Sequence, residues 1–213
     1  HGVFNGNQLN GDLVGGMTKG TGTGIVKDNT ALLKSGNATT VYGGIAAAGT
    51  NGDVLHNQAT IENGHTGMVY GGYAENISTN GATAANRVTL GDENGIYTPN
   101  LSQAEIYGGN DTVHYGNNIL TVRTKNVDAI SAKNFDKYTF ALNTGIDAEN
   151  SILSRAGHTM LTLTEDGNAL GRTVGLGDFS VDAAGWSGTT AEGKPDGVKK
   201  YYGNVGTITL MKD

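Results

Sequence analysis

The segment 188–195, Gly-Thr-Thr-Ala-Glu-Gly-Lys-Pro, comes closest to a nucleotide-binding loop, in which glycines and a lysine hold phosphate groups. Pro195 stands where that loop needs a Ser or Thr to bind Mg²⁺. The run Pro195-Asp196-Gly197 also prevents the helix whose N-terminus should receive the phosphate. The segment is therefore predicted to be a surface loop, and no nucleotide or other cofactor is expected.

A second segment, 106–113, carries the glycines and the aspartate of a calcium-binding repeat. It lacks one residue of the required spacing, and no second copy follows it, although calcium needs neighbouring turns to complete its oxygen ligands. Asp111 is therefore predicted to be a turn residue. No metal-ligand spacing links the four internal histidines, His56, His65, His114 and His158, so no metal site is predicted.

Cleavage of a polysaccharide would need acidic residues clustered on one face of the protein. Asp92 and Glu93 are adjacent, so on a strand their side chains would point in opposite directions. None of the four arginines shares a column of the repeat with paired acids. We therefore predict no catalytic residues and no enzyme activity.

The composition excludes several other classes of protein. The chain has 35 glycines but only two prolines, which excludes collagen. It has no cysteine, which excludes disulfides and thiolate metal sites, and its net charge is −6. No basic cluster extends beyond Lys199-Lys200, so nucleic acid is not an expected partner. No apolar run is long enough for a membrane-spanning helix. A hydrophobic content of 37% fits a thin, elongated core better than a thick one.

Two short blocks recur along the first half of the chain. The first is a tetrad ending in two glycines, with its second residue at positions 14, 42, 70 and 107, so the spacings are 28, 28 and 37 residues. The second begins with an asparagine and follows each tetrad, at spacings of 28, 29 and 32 residues. Two blocks that keep one order and nearly one period indicate a repeat architecture.

The second block alternates apolar and polar residues, as a strand with one buried face does. Its third and fifth residues are always apolar, which predicts that Ile61, Val88, Leu90 and Val122 point inward and that Thr60, Thr89 and Thr121 point out. A unit of about 28 residues cannot bury its own apolar face, but stacked units can. The sequence therefore predicts an all-β parallel β-helix, or β-solenoid. Regular repeats would occupy 1–125, and irregular coils ending in a cap would occupy 126–213.

Equivalent residues of stacked coils form columns about 4.8 Å apart. One column is a predicted ladder of hydrogen-bonded asparagines, Asn29, Asn57, Asn86 and Asn118. The glycine pairs are expected at positive φ or at a corner too tight for a Cβ. A third column holds Tyr42, Tyr70 and Tyr107. If the preceding aliphatic residues point inward, these tyrosines form an exposed ligand-binding stripe; the alternative is an internal aromatic stack. In that alternative, the adhesive surface would lie on loops 45–56, 73–85 and 91–104, whose lengths vary between coils.

The alternation of Val-Tyr-Gly-Gly with Asn-x-Val-Thr-Ile resembles the glycine-rich β-helical passenger regions of bacterial autotransporters, the type V secreted adhesins of Gram-negative bacteria. The segment 134–142, Asn-Phe-Asp-Lys-Tyr-Thr-Phe-Ala-Leu, is similar to a stretch late in such passengers. The resemblance covers roughly residues 10–165 and implies a right-handed β-helix displayed at the outer membrane. The chain shows neither a signal peptide nor an amphipathic barrel, so a passenger fragment is expected.

The expected function is attachment or aggregation at the cell surface, without catalysis. The expected partner is a host or bacterial surface protein or glycan, or a second copy of the chain, and this fragment is not expected to insert into a membrane. Two alternatives remain. The chain is either a structural spacer within a larger autotransporter or a carbohydrate-active β-helix enzyme.

Overall fold

The computed structural model describes residues 1–47, 52–76, 82–110, 115–141, 157–165, 173–177 and 209–212, and the structural statements below concern these residues. They form three sheets whose strand pairs are all parallel. Four successive coils, β4–β6, β7–β9, β10–β12 and β13–β15, each contribute one strand to every sheet. The predicted all-β parallel β-solenoid is therefore confirmed.

The strands are numbered in chain order. Sheet A contains β1 (Gly2–Gln8), β5 (Thr30–Asn37), β8 (Gln58–Ile61), β11 (Arg87–Leu90), β14 (Ile119–Val122), β16 (Lys137–Ala141) and β18 (Thr173–Gly177). Sheet B contains β2 (Leu13–Val14), β6 (Thr40–Ala46), β9 (Met68–Ala74), β12 (Leu101–Gly109), β15 (Val127–Lys133), β17 (Thr159–Leu163) and β19 (Thr209–Lys212), and β3 (Met17–Thr18) also pairs with β6. Sheet C contains β4 (Val26–Lys27), β7 (Val54–Leu55), β10 (Thr83–Ala84) and β13 (Tyr115–Gly116).

The core is a narrow column between sheets A and B. The third and fifth residues of the repeated block pair with their copies in adjacent coils, as Val88 does with Ala59 and Leu120. These inward residues, including Ile61, Val88, Leu90 and Val122, have no exposed surface, as predicted. Each coil contributes only a few aliphatic side chains, so burial of the core depends on coils stacking above and below.

The threonine row on the other face of sheet A points outward, as predicted, but is nearly buried. Thr60 accepts a hydrogen bond of 2.9 Å from Gln58 Nε2, its same-face neighbour two residues away, so this row lies on the outer face. Yet Thr60, Thr89 and Thr121 are only 6%, 1% and 9% exposed. The prediction gave their outward direction only; they are nearly buried because β-branched side chains stacked in register shield one another. The row is therefore part of the packed structure.

The carboxyl-terminal part continues sheets A and B. β16 pairs with β14, β18 pairs with β16, and β17 links β15 to β19, all in parallel. Within the described residues, sheet C ends at β13. Residues 178–208, which include most of the predicted cap region and the predicted surface loop at 188–195, lie outside the described residues.

Candidate binding face

The tyrosine column lies on the outer face of sheet B. The strand register pairs Tyr42 with Tyr70 and Tyr70 with Tyr107. The residues immediately before them are fully buried in the core: Val41, Val69 and Ile106. Because successive side chains of a strand point to opposite faces, the structure places the rings outside the solenoid and not in an internal stack.

The rings of the column stack face to face. The centroids of Tyr42 and Tyr70 are 5.4 Å apart with planes 7° from parallel, and those of Tyr70 and Tyr107 are 4.9 Å apart at 11°. The ring faces are therefore occupied by neighbouring rings, and Tyr70 is only 7% exposed. A ligand on this column meets ring edges and hydroxyl groups. A row of exposed tyrosines would suggest that sugar rings stack flat on the phenol rings. In the middle of this column they cannot, because neighbouring tyrosines cover the ring faces.

A second column widens this surface. Strand register places Met17 beside Ile45, and Ile45 beside Tyr73. The Tyr73 ring packs edge-on against two column tyrosines, at 5.3 Å from Tyr42 and 5.0 Å from Tyr70. Met17 is 44% exposed. We call this surface the tyrosine face; its residues are Met17, Tyr42, Ile45, Tyr70, Tyr73 and Tyr107.

Charged groups mark one end of the tyrosine face. The Tyr107 hydroxyl donates a 3.0 Å hydrogen bond to Glu105 Oε2, and Lys133 Nζ lies 3.7 Å from Glu105 Oε1. The same ammonium group is 5.9 Å from the centroid of the Tyr107 ring, within reach of a cation–π contact. This partly exposed cluster fixes the position of the last ring, although its ion pair adds little stability.

The tyrosines of the column hold their protons more tightly than free tyrosine does. Burial raises the pKa of Tyr42 and of Tyr70 above the ordinary value. Burial, followed by the hydrogen bond to Glu105, raises the pKa of Tyr107 to about 12. Between pH about 10 and these folded-state values, the folded chain binds more protons than the unfolded chain. The stability contributed by the stack therefore falls as pH rises through that window.

The asparagine column forms a continuous hydrogen-bonded ladder at the turn between sheets C and A. The Oδ1 atoms of Asn57, Asn86 and Asn118 each accept from the backbone N–H of the asparagine one coil earlier, at 3.1 Å, 2.9 Å and 2.8 Å respectively. Asn118 ends the series, because its own N–H donates to Asp136 Oδ2 at 3.2 Å. The Nδ2 of Asn86 also donates to Val54 O at 2.9 Å. Three of these residues, Asn57, Asn86 and Asn118, are fully buried, so the ladder is a stabilising element and not a ligand site.

Sequence reasoning missed the residue before each ladder asparagine. Asp28, His56, Ala85 and Asn117 all have left-handed backbone conformations, with φ between 54° and 57°. His56 is thus a turn residue, and no alternation or motif in the sequence marks the position. The glycine pairs, by contrast, have no positive φ; three of the four pairs lie within strands, and Gly15-Gly16 lies between β2 and β3. They make room for the ladder, since a Cβ on Gly44 would lie 2.6 Å from Asn57 Cγ.

The coil with the longest spacing carries an insert, residues 91–100, between β11 and β12. The matching connection between β8 and β9 is shorter, residues 62–67. The carboxylate of Asp92, which is 7% exposed, accepts from the N–H groups of Ile96 at 2.7 Å and Tyr97 at 2.8 Å. The insert therefore has a fixed shape, and it presents Ile96 and Tyr97 to solvent at 71% and 53% exposure.

An open cleft of about 280 Å³ lies beside the insert. Its polar lining residues are Thr98, Asn100, Ser102, Asn126 and Asp128. Loop 91–104 is one of the predicted connections of variable length, but no motif in the sequence marks any of these residues individually. The signal that points to them is the spacing of 37 residues between the third and fourth tetrads, where the others are 28.

The other sequence candidates supply no site among the described residues. Asp111 and His114 lie outside the described part of the chain. Within that part, no three His, Cys, Asp or Glu side chains lie close enough to hold a metal ion, and no helix is suited to crossing a membrane. His65 contacts the backbone carbonyl of Asn100 through Nδ1 at 3.1 Å, and His158 Nδ1 contacts Asn126 Oδ1 at 3.2 Å.

The chain matches no family model, no curated protein and no solved structure in the comparisons made.

Proposed function

We propose that this chain is a non-catalytic segment of a cell-surface adhesin and that it attaches to its partner through the tyrosine face. The observation that carries the proposal is the aromatic column on the outside of sheet B, where Tyr42, Tyr70 and Tyr107 stack across three coils. The same strands bury their aliphatic residues in the core, so the aromatic surface follows the long axis of the solenoid. Such a surface suits lateral contact with another macromolecule.

The geometry of the face favours a protein partner over a glycan. Ring edges, phenolic hydroxyls and the thioether of Met17 can pack against apolar side chains and donate hydrogen bonds at the same time. Protein interfaces are rich in tyrosine and methionine for this reason. A flat sugar ring needs an open aromatic face, and stacking between the tyrosines covers most of their ring faces.

Display at the outer membrane is supported by the resemblance of the repeated blocks to autotransporter passengers and by the parallel β-solenoid that this resemblance requires. The same fold carries unrelated functions, so the tyrosine face, and not the fold, is the basis for proposing attachment. If the tyrosine face has no partner, the chain is better described as the spacer of a larger surface protein.

The test uses beads coated with the purified chain, added to cultured epithelial cells and to bacterial cells. Met17→Asp places a charge on the exposed edge of the tyrosine face. Val3→Asp is the matched control, because Val3 is 60% exposed and lies on β1 of sheet A. We expect Met17→Asp to reduce attachment about tenfold, the effect of losing about 1.4 kcal/mol, and Val3→Asp to leave it unchanged.

Treatment of the target cells identifies the partner class. Protease digestion should abolish attachment, and periodate oxidation of surface glycans should not. Beads that attach to neither cell type would favour the spacer alternative. Attachment unaffected by Met17→Asp would place the binding surface elsewhere on the solenoid.

A further inference from the structure

We infer that the cleft beside the insert is a binding site for a neutral saccharide. The site shares no residue with the tyrosine face, so this inference and the proposed function can fail separately. It combines a polar cleft, an exposed aromatic ring nearby and a backbone held in place by hydrogen bonds.

The cleft lining suits hydroxyl groups. Ser102 Oγ donates to Asn100 Oδ1 at 3.0 Å, a bond that does not use the Asn100 amide nitrogen, so this nitrogen can donate to a ligand. The contact between His158 Nδ1 and Asn126 Oδ1 at 3.2 Å does the same for the amide nitrogen of Asn126. Asp128 adds two acceptor oxygens. Amide donors beside a carboxylate can bind adjacent sugar hydroxyls, each of which both donates and accepts.

The charge of the cleft selects against acidic sugars. Asp128 is a carboxylate, and none of the described lining residues is cationic. A uronic, sialic or sulfated sugar would bring a second negative charge close to Asp128 without a neutralising partner, which weakens binding. A single lining carboxylate also lacks the paired acid that glycoside hydrolysis requires, so the site is suited to binding.

Tyr97, which is not itself a lining residue, carries an open aromatic ring at the start of the segment that lines the cleft. It is 53% exposed and directly precedes the lining residue Thr98. Among the described residues its ring stacks on no other aromatic ring, in contrast to the rings of the tyrosine face. Both the apolar face of a sugar and an open phenol ring lose water when they meet, and the phenol remains hydrogen-bonded to solvent.

The backbone around the cleft is held in position before any ligand arrives. Asp92 fixes the N–H of Tyr97, and Thr98 Oγ1 donates to Lys125 O at 3.0 Å in the next coil. Register then shifts between β12 and β15, where Leu101 pairs with Ala129 but Glu105 pairs with Ser131. This bulge separates Ser102 from the regular ladder, and bulges commonly re-aim side chains at functional sites. Because the backbone of the site is already ordered, less binding free energy is lost in ordering its residues when a ligand binds.

The test begins with the purified full chain on a printed array of neutral, sialylated, sulfated and uronic oligosaccharides. The strongest neutral oligosaccharide is then titrated by calorimetry against four variants. Tyr97→Ala and Asp128→Ala should each weaken its binding about tenfold or more, or about 1.4 kcal/mol. Tyr97→Phe, which keeps the ring, and Glu93→Ala, which removes an exposed carboxylate outside the cleft, should change it less than about threefold.

Several results would overturn the inference. These are an array without any neutral ligand, a preference for acidic oligosaccharides, or full binding by both Tyr97→Ala and Asp128→Ala. The three substituted residues, Glu93, Tyr97 and Asp128, are exposed, so circular dichroism should show unchanged β-structure in all four variants. Met17→Asp should bind the same oligosaccharide normally, which keeps this result distinct from the cell-attachment test.

Discussion

The regular coils and the insert use their side chains in opposite ways. In the regular coils, a repeated residue finds its partner in its own copy one coil away, so Asn57, Asn86 and Asn118 are fully buried and Tyr70 is 7% exposed. In the insert, Ile96 and Tyr97 have no copy to pack against and are 71% and 53% exposed. Side chains that repeat in every coil therefore pack against their copies and hold the solenoid together. Side chains that are free to contact a ligand occur where the repeat period is interrupted.

The largest effect is expected from a charge placed in the core of the regular coils. Val88→Asp puts an unpaired carboxylate at a fully buried position between Ala59 and Leu120, at a cost of several kcal/mol. We expect this variant not to fold, as measured by circular dichroism. Arg87→Asp is the control, because Arg87 is an exposed neighbour on the same strand. A folded Val88→Asp protein would show that the inward register is wrong.

The asparagine ladder should give the next largest effect. Asn86→Ala removes the acceptor for the Asn57 N–H and the donor to Val54 O in a fully buried setting. Unpaired buried groups of this kind cost about 1–3 kcal/mol, so the urea midpoint should fall clearly. Asn94→Ala, in the exposed part of the insert, should leave the midpoint unchanged. Equal midpoints for the two variants would mean that the ladder does not support the coils.

The comparison between tyrosines predicts the smallest effect. Tyr70→Ala removes the middle ring of the stack and should lower the free energy of unfolding by about 1–2 kcal/mol, because both of its faces are in contact. Tyr70→Phe keeps the stack and should retain most of the stability. Tyr97→Ala should be neutral in thermal unfolding. If Tyr70→Ala left the free energy of unfolding unchanged, the stacked rings would contribute no more to stability than the exposed Tyr97 ring does.

The sequence is sufficient to predict the architecture because the same constraints apply in every coil. The inward positions of Ile61 and Val88 follow from period-two alternation, and the asparagine column follows from a constant spacing. Both predictions depend only on which residues lie above one another. In a parallel stack, the repeat period alone determines this.

Features that depend on the local path of the chain could not be predicted in the same way. Ala85 has a φ of 54°, although alanine has no intrinsic preference for that conformation, so only the ladder geometry explains it. Alternation predicts that the threonine row points outward, but it does not predict that neighbouring coils shield this row from water. The contacts of Asp92 and the lining of the cleft bring together residues from the insert and the next coil, and no periodic pattern encodes them.

The complementarity of glycine pairs and ladder asparagines also bears on how such a rod can grow in evolution. Each coil offers its neighbour the same shape: two glycines that leave space and one asparagine that fills it. Duplication of a complete unit of about 28 residues adds about 4.8 Å of length and preserves every contact on both sides. A partial duplication would set an asparagine against a residue with a Cβ. The rod can therefore lengthen in whole coils, while new recognition surfaces enter through its loops.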